Sequence, residues 1–214
     1  MAAADPFVLP GRRLSGGAVM LLLFAALWFG KSTAAESAPG EVIASTADAF
    51  ATVVQTRRDE LAADLRDDFA LVDEFLLPYF DLQSSCRLIL RDHWEAASPE
   101  QRRRFVGVLY RFLLVSYGDA LLEFRHDTIR IPAGQDEPLG PSARVRTEIR
   151  LADGDVFDVD FYMRLDDRGW RIVDVIAEGI SYVRTYRTDF GLEIRADGLD
   201  SLIARLESTA AERL

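Results

Sequence analysis

Apolar positions change period twice along this chain. From Val42 to Leu65 they recur at Ile43, Ala47, Phe50, Val54 and Leu61, the spacing of an amphipathic helix. A second helical run holds Phe69, Val72, Phe75 and Leu76, and Pro78 closes it. Asp81 to Trp94 reads as a third helix, with Leu82, Cys86, Ile89 and Leu90 inward. The longest runs from Ser98 to Phe124. Ser98 stands at its N-cap, Pro99 at the first helical position and Gln101 three residues after the cap. From Phe105 onward its only charges are Arg111, Asp119 and Glu123, all on one side. A helix apolar on so much of its circumference needs cover on more than one flank.

After Phe124 the period becomes two. Thr128–Ile131 is a short strand, and the proline- and glycine-rich residues 132–142 are loop. Arg144–Leu151 alternates, with Val145, Thr147, Ile149 and Leu151 on one face. Asp153-Gly154 signals a hairpin. Phe157–Leu165 alternates again, with Phe157, Val159, Phe161, Met163 and Leu165 against Asp158, Asp160, Tyr162 and Arg164. A turn at Asp166–Gly169 leads to the last strand, Trp170–Ile176. Arginines of one strand and aspartates of the next share the polar face, where they can pair. The second change, back to helical spacing, places Ile180, Val183, Phe190 and Ile194 on one helix. Gly198 breaks it before a short terminal helix with Leu199, Leu202, Ile203 and Leu206. The expected fold is α+β: a twisted antiparallel sheet of about four strands packed against several helices, with an apolar cavity between them.

The N-terminal pattern is different again. Arg12 and Arg13 precede the apolar run Ala18–Phe29, and small residues follow up to Ala35. This is the layout of a secretory signal peptide cleaved after Ala35; the uncharged run is short for a membrane span, though an uncleaved anchor is the competing reading. The expected organisation is a signal peptide over 1–35, a linker over 36–41, one domain over 42–208 and a tail over 209–214. The leader carries a net +2, so the remainder carries −12 rather than −10, and it has no lysine. Such a chain is a poor partner for nucleic acid or for unaided docking on anionic lipid.

Chemistry is sparse. His93 and His126 show no metal-ligand spacing, and no metal or cofactor is expected. Gly179-Ile180-Ser181 begins like a nucleophile elbow but lacks the closing glycine, so Ser181 reads as a helix cap. Asp158 and Asp160 alternate with apolar neighbours and are expected in solvent. The single Cys86 reads as a small buried hydrophobe. Nothing assembles into an active site, and no catalytic residue is assigned.

Several segments in order resemble the MlaC-type (toluene-tolerance) periplasmic phospholipid-binding proteins. They are Leu77-Pro78-Tyr79, Ala97–Arg102 with Phe105, Tyr117–Leu121, Pro138-Leu139-Gly140, Gly169–Val175, Ile176–Ser181 and Asp197–Leu202. A leader with a long segment, including Asp5, before Arg12 is a departure. The resemblance implies a monomeric periplasmic shuttle carrying phospholipid between outer and inner membranes, with acyl chains held between sheet and helices. It implies as partners an inner-membrane ABC transporter with an MCE-domain ring and an outer-membrane lipoprotein–porin complex. Strand alternation and helix faces then nominate the lipid-lining residues. These are Leu113, Tyr117 and Leu121 from the long helix; Val145, Ile149, Val159, Phe161 and Met163 from the sheet; and Val175, Ile176 and Tyr182 beyond it. The alternatives are a non-catalytic interaction or chaperone module without lipid, and an enzyme on the same scaffold.

Overall fold

Alternation in the period-two region becomes three long strands. The structure, a computed structural model, describes residues 37–56, 70–122, 129–136, 138–150 and 154–212. The expected leader, and the expected positions Leu61, Phe69, Phe124, Leu151 and Asp153, lie outside them. The described strands are β1 (Ile129–Arg130), β2 (Pro138–Leu139), β3 (Ser142–Arg150), β4 (Val156–Asp166), β5 (Gly169–Ala177) and β6 (Ile180–Ser181). All pairings between them are antiparallel, in the order β1-β3-β4-β5-β6, with β2 also on β3. The sheet thus has six strands where about four were expected. The extra ones, β2 and β6, are two-residue pieces, too short to leave an alternating pattern.

Register settles the faces. Val145 stands opposite Phe161, Thr147 opposite Val159 and Ile149 opposite Phe157, so the apolar sides of β3 and β4 coincide. Phe161 and Val159 stand opposite Val175 and Ala177 of β5. A register shift at Tyr162/Met163 then brings Met163 opposite Ile172, which keeps large apolar side chains in line at that end.

The helices are α1 (Pro39–Thr56), α2 (Leu82–Leu90), α3 (Asp92–Ala96), α4 (Pro99–Leu122), α5 (Tyr182–Asp197) and α6 (Leu199–Ala211). A π-helical turn, Val72–Leu76, and a 3-10 turn, Leu77–Tyr79, precede α2. Helix α1 starts inside the expected linker, because Pro39 occupies its first position and Glu41 accepts from the Ala38 N–H at 3.1 Å. Gly40 is buried there, and a Cβ on it would collide with the Asp136 side chain. The expected single helix from Asp81 to Trp94 is broken at Arg91, whose φ is 49°. The break is tied down from α4. Arg102 donates to the Trp94 carbonyl at 2.8 Å and the Glu95 carbonyl at 3.0 Å, and its guanidinium lies over the Trp94 ring. Helix α4 opens on a reciprocal capping box. Ser98 N–H donates to Gln101 Oε1 at 2.9 Å, and Gln101 N–H donates to Ser98 Oγ at 3.1 Å. Ser181 caps α5, accepting from Arg184 N–H at 3.0 Å, and Gly198, at φ 87°, separates α5 from α6.

Burial divides into three clusters. Helices α2 to α6 form one, around Cys86, Leu90, Phe105, Leu109, Phe190 and Leu202. The apolar sheet face and the start of α1 form the second, around Ile43, Val145, Met163 and Ile172. The far end of α1, the π-helical turn and the middle of α4 form the third, around Phe50, Val54, Leu71 and Leu114. Helix α4 is therefore covered on two flanks, by helices on one and by α1 on the other.

Candidate ligand site

The apolar sheet face is dry at one end and open at the other. At the dry end Ala143, Val145, Met163 and Ile172 are buried under Ile43 of α1, with Val145 and Met163 at 0% exposure. Toward the other end Phe161, Val175, Val159 and Ile149 are half-buried, and Phe157 is 39% exposed. Antiparallel sheets with one apolar face normally cover it completely. Here part of that face is left wet.

Six of the expected lining residues share this face: Val145, Ile149, Val159, Phe161, Met163 and Val175. Val145 and Met163 belong to its packed end, in contact with the core. Ile176 does not share it. It stands opposite Asp160, so the pleat turns its side chain to the other sheet face from Val175. Two adjacent strand residues cannot line one surface, and Ile176 is withdrawn from the set. Leu113 packs against the helical cluster, half-buried. The Leu121 side chain lies outside the described residues.

Tyr117 and Tyr182 meet in an aromatic ladder that the sequence reading left unconnected. Their rings are 5.4 Å apart, edge to face. Tyr182, Tyr186 and Phe190 follow one another at every fourth position of α5, and Phe112 and Phe105 of α4 meet Tyr186 and Phe190 edge-on. Tyr117 and Tyr186 share a hydroxyl–hydroxyl hydrogen bond of 3.0 Å. Burial, helped by the neighbouring Tyr117, raises the pKa of Tyr186 and of Tyr182, so both phenols keep their protons. The fourfold spacing of Tyr182, Tyr186 and Phe190 was the available signal.

Polar groups behave mainly as scaffolding. Asp160 is buried rather than in solvent as expected, because the Arg144 guanidinium folds over it, with Nε donating to its carboxylate at 2.8 Å. Asp174 accepts from Ser181 Oγ at 2.5 Å and from Val183 N–H at 3.0 Å, which anchors α5 to β5. Arg171 is buried between Asp166 and Asp81. Burial pushes the Cys86 thiol pKa up, away from reactivity. Among the described residues no cluster of His, Cys, Asp or Glu could hold a metal ion, and no helix is long and apolar enough to cross a membrane. The open half of the sheet face presents uncharged apolar side chains, chemistry that suits an apolar guest.

The family model described as "MlaC protein" matches residues 44–208. The chain belongs to the MlaC family. Among curated relatives, it is 21% identical over 199 residues to the intermembrane phospholipid transport system binding protein MlaC of Haemophilus influenzae, covering 91% of this chain and 92% of that protein. It is 26% identical over 183 residues to the toluene tolerance protein ttg2D of Pseudomonas putida, covering 85% and 83%. Among solved structures, a phospholipid-binding protein from Ralstonia solanacearum, in complex with a phospholipid, matches with a TM-score of 0.75 at 20% identity. That likeness covers 82% of this chain and 98% of the other, and it shows that the two chains share the α+β fold.

Proposed function

We propose that this protein is a periplasmic phospholipid carrier that holds acyl chains on the open half of its apolar sheet face. The observation that carries the reading is the gradient from dry Val145 and Met163 to wet Phe157 along one continuous apolar surface. Membership of the MlaC family supports it, as does the phospholipid held by the Ralstonia solanacearum relative of like fold. The lining comprises Ile149, Val159, Phe161 and Val175 from the sheet, with Leu113, Tyr117 and Tyr182 from α4 and α5. Val145 and Met163 form its floor.

Energetics favour this use of the surface. Burying acyl chain is worth about 0.8 kcal/mol per CH₂, so two tails amount to roughly 20 kcal/mol. A lipid cannot cross an aqueous compartment without a surface nearly as dry as a bilayer. A near match also lets it leave, since the net transfer free energy is then small. The head group stays in water, so recognition is by the tails. The leader over residues 1–35 directs export, and the carrier exchanges lipid with an inner-membrane ABC transporter bearing an MCE-domain ring and with an outer-membrane lipoprotein–porin complex. It performs no catalysis.

The test is mass spectrometry of the organic extract of purified protein. Stoichiometric phospholipid is expected. Protein that arrives empty and takes no lipid from vesicles overturns the reading and favours an interaction module with a solid core.

A further inference from the structure

The last strand of the sheet carries an apolar residue that helical spacing had assigned to α5. Ile180 stands on β6 opposite Ala177 of β5, and Ala177 stands opposite Val159 of β4. Directly opposed residues of antiparallel strands point to the same face, so Val159, Ala177 and Ile180 form one row across the open half of the apolar face. The next pair has the opposite phase, as it should. Ser181 stands opposite Ile176, and its hydroxyl meets Asp174 on the other face. Ile180 is 64% exposed, a large apolar side chain left in water at the rim of the face.

Its place is built into the backbone. Ala177 and Ile180 are joined by Glu178 and Gly179, at φ 48° and 76°, the two positive values that a type I′ hairpin turn requires. Positive φ is uncommon for a residue other than glycine, and two hydrogen bonds to β4 hold Glu178 there. Glu178 N–H donates to the Asp158 carbonyl at 2.8 Å, and Asp158 N–H donates to the Glu178 carboxylate at 2.7 Å. The turn is thereby fastened beside the open half of the face.

Side-chain size gives the row its shape. Ala177, half-buried, is small, and the residues opposite it on either side are branched. Val175, two residues earlier on β5, shares its face and stands opposite Phe161. A floor of Val175 and Ala177 therefore runs between Phe161 and Val159 on one side and Ile180 on the other. Tyr182 follows two residues after Ile180, its ring edge-on to that of Tyr117. With strands about 4.8 Å apart, the β4 and β6 walls are ~9.5 Å apart, which leaves a single hydrocarbon chain about 4–5 Å from either one, near van der Waals contact.

We propose that one acyl chain lies along β5 in this trough, with Ala177 as its floor and Ile180 as its outer wall, and leaves the protein over the Glu178-Gly179 turn. The proposal rests on the carrier reading and adds to it a path for the chain and two residues that set the width of that path.

The experiment measures uptake of dipalmitoyl phosphatidylethanolamine from vesicles by mass spectrometry, with thermal melting of each protein alongside. Ala177→Leu fills the trough and is expected to lower the lipid-to-protein ratio by about fivefold or more. Its melting temperature should equal that of the wild type or exceed it, since the added atoms enter open space and not a packed core. Ile180→Ser removes the outer wall and should lower uptake by about fivefold, as when lipid covers most of an isoleucine that the protein leaves exposed. Leu139→Ser is the control. Leu139 is 77% exposed, but it stands opposite Ser142, and Ser142 opposite Arg164, on the other sheet face, so uptake should not change. Uptake by Ala177→Leu equal to that of the wild type overturns the trough. A loss accompanied by a lower melting temperature also overturns it, because Ala177 is then ordinary packing. An Ile180→Ser protein that takes up lipid as the wild type does overturns the outer wall. A wild-type protein that takes up no lipid overturns the carrier reading itself.

Discussion

Placing a carboxylate at Val159 separates a lipid surface from an ordinary core. Val159 is half-buried and lies on the apolar face between Thr147 of β3 and Ala177 of β5. In the ligand-free protein a Val159→Glu side chain can bend toward the wet end of the face, so folding should lose only about 1–2 kcal/mol. With acyl chain laid against it, the carboxylate has no water. The cheapest response is to bind a proton. For a carboxyl of ordinary pKa near 4.3, neutralisation at pH 7 costs about 3.7 kcal/mol, or roughly 500-fold in affinity. That figure caps the charge penalty, and a smaller cost for the neutral carboxyl adds to it.

The sign of the pH dependence follows. The carboxyl pKa is raised in the lipid-bound state, so binding takes up a proton and affinity recovers as pH falls. Recovery should be about tenfold per pH unit between pH 7 and 5, ending near the pKa of the free protein. The assay is lipid transfer from vesicles at each pH, with Val159→Gln as the uncharged control showing no such slope. A Val159→Glu protein of near-normal melting temperature that binds lipid like the wild type at pH 7 would refute the placement of acyl chains on this half of the sheet. Met163→Glu would be a poorer probe, since that site is fully buried and its loss of binding could not be told from unfolding.

Other outcomes test the faces and the packing. Ile176→Thr should leave the lipid-to-protein ratio unchanged within error, because Ile176 lies on the opposite sheet face; a fall of severalfold in extracted lipid counts against the register argument. Cys86, fully buried with its thiol pKa raised by burial, should resist a thiol reagent in the native protein and react completely in denaturant, as read by absorbance. Glu193 is held below its usual pKa first by hydrogen bonds from Arg205, against the opposing effect of burial. Glu193→Gln should therefore lower stability by no more than about 1 kcal/mol at pH 7. Its folded-state pKa is depressed, so this contribution is present above about pH 4.3 and disappears as pH falls through the lower folded value. Urea midpoints across pH 3 to 7 measure it, and a gap between wild type and variant that persists at pH 3 contradicts the assignment.

Much of the fold could be read where a local rule and a global requirement agreed. Ser98 and Gln101 announced the start of α4, and the two hydrogen bonds between them are in place. Val145, Val159, Phe161 and Met163 announced a shared sheet face, because each strand alternates with the same phase and antiparallel pairing preserves it. Features without a local rule were missed. Nothing in the run from Asp81 to Trp94 forbids a continuous helix; the left-handed Arg91 is settled by what Arg102 does from another helix. Asp160 has the look of a surface residue until the arginine that covers it is placed. The error at Ile176 is of a different kind, since the alternation that chose Val175 also excludes its neighbour.

The open half of the sheet was half legible for a physical reason. A pattern of apolar positions marks which side chains leave water, but it does not distinguish those that pack on protein from those that wait for a guest. Ile149 and Val145 are identical in that pattern, yet one is half-buried and the other sealed. The distinction lies in what stands opposite, and at Val145 this is Ile43, brought from a helix a hundred residues away in the chain. Polar positions mislead in the complementary way. Thr46 falls on the inward side of α1 by its spacing from Ile43 and Phe50, but a search for apolar periodicity steps over it. Its hydroxyl is buried and has no hydrogen-bond partner. A binding surface is therefore best sought where the inward apolar pattern is complete and its cover is not, as between sealed Val145 and exposed Phe157.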